Sequence, residues 1–233
     1  MNSQNTGQTM NKETWTAVDE YYQELIIKPD PRFEKILEVS NKEGLPTIQV
    51  PPSLGAFLEL LVRGMGAKRV LEIGTLGGYS TAWLASGLSE DGNLISLEID
   101  PKHAAVAQKN ISMFEFVDKV SIKVGDALES LGEMVETNID PFDLIFIDAE
   151  KSQYRAYLEW SIKLSRPGTF IIADNVVRRG EIINKNSTDA SVLGIREFNQ
   201  SLSEESRLKA TVLQTVGAKR YDGFTMMVVD PES

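Results

Sequence analysis

The sequence predicts an α/β fold: a mostly parallel seven-stranded sheet with helices on both faces, an N-terminal helical layer and a C-terminal antiparallel hairpin. Three observations carry that expectation. From Arg69 onward, short β-rich runs alternate with helical stretches. Each of the first four runs is followed by a segment long enough for a crossover helix, which parallel neighbours require. The dipeptide Asp222-Gly223 before the last run marks a turn into a hairpin.

The stretch from Met1 to Lys12 is polar and lacks the apolar core of a signal peptide, so residues 1–13 are expected to be a disordered tail. Trp15 to Leu25 reads as a helix, interrupted by Pro29 and Pro31. Phe33 to Glu43 reads as a second, ended by Gly44 and Pro46, and Pro51-Pro52-Ser53 opens a third. These form the helical layer, residues 14–66. No linker-like composition follows, so residues 14–233 are expected to form one domain, with the sheet in 69–233. The predicted strands are 70–73, 94–98, 120–124, 143–147 and 170–173, then 210–216 and 224–229. A helix is expected over about 192–202.

Composition narrows the chemistry. In 233 residues there is no cysteine, which excludes disulfides, thiolate metal sites and cysteine nucleophiles, and favours a reducing, cytoplasmic setting. The one histidine, His103, lies at the start of a predicted helix and reads as a surface residue. A net charge of -10 gives no global basic footprint for nucleic acid. No apolar run is long enough to span a membrane.

The first strand ends in Glu72-Ile73-Gly74-Thr75-Leu76-Gly77-Gly78-Tyr79-Ser80. A glycine-rich turn there lets a ligand approach the backbone. Leu76 stands where a pyrophosphate-binding loop needs its second glycine, so the loop suits a ligand without pyrophosphate. A tight turn with no ligand is the alternative. The second strand ends in Glu98, 24 positions after Gly74, where an acid meets ribose hydroxyls in such folds. The third is followed by Gly125-Asp126-Ala127; Asp126 either faces an adenine edge or caps the next helix.

The fourth and fifth strands run into Asp148-Ala149-Glu150-Lys151 and Asp174-Asn175. Adjacent strands would bring Asp148, Asp174 and Asn175 together. Two close carboxylates repel unless a cation lies between them. Three hard oxygen donors suit magnesium, manganese or calcium. Helix capping is the competing role.

Taken together, these residues resemble the cation-dependent O-methyltransferases, the Rossmann-like family that includes catechol and caffeoyl-coenzyme A O-methyltransferases. The resemblance runs from about Ile48 to the C-terminus. It is carried by Val50 to Leu58, the Glu72–Ser80 loop, Glu98, Ala127, Asp148 with Lys151, and Asp174-Asn175. It implies that Val50, Glu72, Gly74, Thr75, Ser80, Glu98, Ala127 and Asp148 contact S-adenosylmethionine (SAM). Gly78 of the glycine loop and Asp126 complete that candidate set. It implies a divalent cation on Asp148, Asp174 and Asn175, Lys151 as general base, a small aromatic acceptor with vicinal hydroxyls, and a homodimer. A metal-independent methyltransferase and a non-catalytic SAM-binding module are the alternatives.

Some positions depart from that pattern. Glu150 stands where mammalian catechol enzymes carry an aromatic residue. Pro51-Pro52 replaces more polar residues. The segment 178–189 is the expected acceptor lid, in which Arg178 and Arg179 either meet an acidic acceptor or are solvated charges. Trp15, Tyr21 and Tyr22 are read as core packing rather than as an acceptor pocket.

Overall fold

The computed structural model describes residues 11–219 and 221–230. The tail expected over 1–13 lies outside the described residues up to position 10. Beyond it, Lys12 and Glu13 are already helical. Helix α1 (Lys12–Tyr22) starts early because Asn11 caps it, accepting from the Thr14 N–H at 3.0 Å. A π-helical turn, Gln23–Ile27, follows. Helix α2 (Pro31–Lys42) has Asp30 at its cap and proline at its first position, where a missing N–H costs nothing. Helix α3 (Pro52–Met65) likewise opens on proline and stops at Gly66, whose φ of 62° ends the helix. Trp15, Tyr21 and Tyr22 are not core residues: α1 buries none of its side chains, and Tyr21 and Tyr22 pack edge-on against each other near the surface.

The α/β core then runs β1 (Arg69–Ile73), α4 (Tyr79–Ser86), β2 (Asn93–Glu98), α5 (Pro101–Ile111), β3 (Val120–Val124), α6 (Ala127–Glu136), β4 (Phe142–Ile147), α7 (Tyr154–Lys163), β5 (Ser165–Asp174), α8 (Ala190–Glu204), β6 (Leu208–Thr215) and β7 (Asp222–Val229). The strand order is β3-β2-β1-β4-β5-β7-β6. All pairs are parallel except those of β7, which runs antiparallel to both β5 and β6. The order reverses between β1 and β4, so the crevice at their carboxyl ends is the expected ligand position.

Strand alternation divides the core. Leu71, Ile73, Ile145 and Ile147 face one side with Tyr154, Leu158 and Phe198. Val70, Leu144, Phe146 and Ile172 face the other, against Ile36, Leu58 and Trp83 of the helical layer and α4. Both faces are covered, which is why the central strands read as continuous apolar runs. Glu72 shares the parity of Val70. Its carboxylate is therefore directed beneath the α3–α4 layer and is fully buried.

Candidate active site

The turn after β1 is built around one close backbone approach. Gly74 has φ 102°, and a Cβ there would lie 2.2 Å from the Asp148 carbonyl oxygen. Only glycine lets the ends of β1 and β4 come this near. Leu76 also adopts positive φ, 49°, which turns its N–H onto Glu98 Oε2 at 2.7 Å. The Asp100 N–H donates to Glu98 Oε1 at 2.9 Å. Two backbone donors thus fix the Glu98 carboxylate on the cavity wall.

A cavity of about 750 Å³ occupies the crevice. Of the residues predicted from sequence, it brings together Val50, Gly74, Thr75, Ser80, Glu98, Asp126, Ala127, Asp148, Lys151 and Asn175. Leu37, Ser40 and Asn41 of α2 close it from above, a contribution without a sequence motif. Three predicted residues stand elsewhere. Gly78 starts α4 at φ 81°, and a Cβ there would press on Ala107 of α5 at 3.2 Å. Its role is packing between those helices. Glu72 lies under the loop, accepting from Thr81 Oγ1 (2.5 Å) and Ser96 Oγ (2.6 Å). Burial pushes its carboxyl up to about 7, while hydrogen bonds from Ser80, Ser96 and Thr81 pull it partly back. Asp174 lines a second cavity, of about 270 Å³.

His103 is not the remote surface residue expected. The first turn of α5 carries it back to the cavity wall, with Nδ1 3.7 Å from Glu98 Oε1. Asp126 caps α6, accepting from the N–H groups of Leu128 (2.7 Å) and Glu129 (3.2 Å), and also faces the cavity. Glu150 accepts from the Ser152 N–H at 3.2 Å and lies on the same wall. Arg178 lines the cavity too, whereas Arg179 is exposed. Both hold positive φ, 54° and 58°, in a turn tied down by Asp222, which accepts from the Arg178 N–H at 3.0 Å.

The register Ile147↔Ala173 places Asp148 and Asp174 at neighbouring strand ends. Lys151 Nζ is buried and donates to Asp148 Oδ1 at 2.7 Å. Burial pulls the Lys151 ammonium down, but Asp148 and Tyr154 together outweigh it, so the net shift is upward. Asp174 is 5% exposed, and burial followed by the Asp148 charge pushes its carboxyl well above the usual carboxylate range. The Asn175 N–H donates to Asp174 Oδ1 at 2.8 Å, with Asn175 at φ 59°. Among the described residues no group of three or more His, Cys, Asp or Glu is arranged for a metal. The candidate donor set is instead two carboxylates and an amide. Asp174 is destabilised as an anion where it stands, and a hard divalent cation would relieve that.

Tyr154 is a site residue that sequence reasoning missed. Its ring lies 5.1 Å from Lys151 Nζ. Its hydroxyl donates toward the carbonyls of Asp174 (2.9 Å) and Ile147 (3.1 Å).

An O-methyltransferase family matches residues 24–228. The catechol O-methyltransferase of Niastella koreensis is 46% identical over 220 residues, covering 94% of this chain and 100% of that protein. The O-methyltransferase from Bacillus cereus, solved in complex with SAH, superposes with a TM-score of 0.92 at 51% identity, covering 94% of this chain and 100% of that one. The O-methyltransferase of Streptomyces achromogenes involved in tomaymycin synthesis, solved with SAM, gives a TM-score of 0.91 at 39% identity, covering 95% and 99%. With relatives this similar along nearly its whole length, the chain belongs to the O-methyltransferase family.

Proposed function

We propose that this protein transfers the methyl group of SAM to one hydroxyl of a small aromatic acceptor with vicinal hydroxyls, using a divalent cation held by Asp148, Asp174 and Asn175. One observation carries the metal: Asp174 is a buried carboxylate that feels the charge of a second, Asp148, while the nearby Lys151 pairs with Asp148. The SAM- and SAH-bound relatives support the cofactor.

Glu98, fixed by two backbone N–H groups, would accept from ribose hydroxyls. Gly74 leaves the backbone bare for the ligand, and Leu37, Ser40 and Asn41 line the α2 side of the cavity. A bound divalent cation supplies charge that favours the phenolate over the phenol, whose ordinary pKa is near 10. Orientation of that oxygen toward the methyl is the larger part of catalysis here. Lys151 would take the hydroxyl proton. Burial favours its neutral form, and Asp148 opposes that for as long as its carboxylate is engaged with Lys151 alone.

A homodimer in a reducing, cytoplasmic setting completes the reading, the latter supported by the absence of cysteine. No described helix is long and apolar enough to cross a membrane.

A mass-spectrometric screen of vicinal diphenols with SAM and magnesium tests the proposal. The expected result is a singly methylated product. Thermal stabilisation by SAM with no product from any diphenol would mark a non-catalytic binding module instead.

A further inference from the structure

We propose that the second cavity is the acceptor chamber and that it disfavours aromatic diols whose substituent is an anion; this rests on the methyl-transfer reading above. The two cavities share Ile48, Gln49, Val50 and Asn175. They therefore adjoin at the carboxyl end of β5. Asp148 and Lys151 line the larger one and Asp174 the smaller, so the donor set straddles the joint. An oxygen held at that joint faces the cofactor cavity, and the ring that carries it extends into the smaller chamber.

The chamber is small, about 270 Å³, and apolar side chains form two of its sides. Leu54 and Phe57 of α3 face Leu213, Val216 and Phe224 from the C-terminal hairpin. The Phe57 and Phe224 rings lie 5.3 Å apart. The rim is closed across the whole chain. Asp19 of α1 accepts from the Ala218 N–H at 2.8 Å, tying the first helix to the turn after β6.

The charged groups in this wall argue against an anionic substituent. Asp19, Asp174 and Asp222 outnumber Lys219, the one cation among the described lining residues, and Lys219 is itself engaged. A carboxylate entering the chamber would give up water to face an acidic wall. An alkyl group loses nothing and buries apolar surface.

Initial-rate kinetics on the whole protein with SAM and magnesium decide it, with 4-ethylcatechol and 3,4-dihydroxybenzoate as acceptors. The expected kcat/KM for 4-ethylcatechol exceeds that for 3,4-dihydroxybenzoate by about tenfold or more, mostly through KM. Phe57→Lys is expected to erase that advantage while calorimetry with SAH gives an unchanged affinity, because Phe57 lines the second cavity and not the first. Phe57→Leu keeps an uncharged wall and is expected to keep the preference, which guards against misfolding of the lysine variant. Equal or better turnover of 3,4-dihydroxybenzoate, or a preference that survives Phe57→Lys, overturns the inference alone. If SAH binds and neither acceptor is methylated, the diphenol reading falls, and this inference with it.

Discussion

The Tyr154 hydroxyl donates to the backbone carbonyl of Asp174 at 2.9 Å, reaching from the first residue of α7 to the last residue of β5. The same hydroxyl lies 3.1 Å from the Ile147 carbonyl, immediately before Asp148. One buried side chain thus links the two strand ends that carry the proposed cation ligands, and its ring underlies Lys151.

Tyr154→Phe keeps that ring and removes the link. A buried carbonyl losing its donor costs about 1–2 kcal/mol, so the urea midpoint is expected to fall accordingly. Turnover is expected to drop further than stability explains, by about tenfold, because the ligand ends lose their mutual fix. Unchanged kcat in a destabilised protein would show that the link serves folding only.

Asp174→Ala is expected to abolish turnover with near-normal SAM affinity. The residue does not line the cofactor cavity, whereas Asp148 does. Calorimetry with SAM separates the roles. Loss of cofactor binding along with turnover would refute the division of the site into a nucleoside half and a metal half.

Glu72 gives a pH signature. Its folded-state pKa, raised to about 7 by burial, exceeds its ordinary value of 4.5. Between those values the folded chain holds a proton that the unfolded chain has released, so stability falls as pH rises. Asp174 acts in the same direction, so the test is a difference. Glu72→Gln, which mimics the protonated form, is expected to gain about 2 to 3 kcal/mol on the wild type between pH 5 and pH 8. Denaturant unfolding at both values measures it, and a gap that does not change with pH would mean that Glu72 ionises normally in the fold.

Much of this was legible in the sequence, and what was not has physical causes. The β3 run reads at its observed limits, Val120–Val124, because β-branched residues stand between clear turn signals. The ends of β4 and β5 were readable since apolar runs stop abruptly at Asp148 and Asp174. The direction of a side chain was harder. Glu72 heads the glycine loop in sequence, but strand alternation turns it under the sheet's helical cover. His103 is set off from the strand ends along the chain, whereas one turn of α5 brings it back to Glu98. Tyr154 carried no motif: a tyrosine at a helix start gives no sign that its hydroxyl reaches a neighbouring strand. The second cavity joins α1, α3 and the C-terminal hairpin, segments up to 199 positions apart, and no local pattern records such a meeting.

The most direct measurement is methyl transfer to a vicinal diphenol before and after stripping divalent cations. Turnover is predicted to fall to background in excess chelator and to return on adding magnesium or manganese, with SAM affinity little changed throughout. Full turnover in excess chelator would contradict the assignment of Asp148, Asp174 and Asn175 as a cation site.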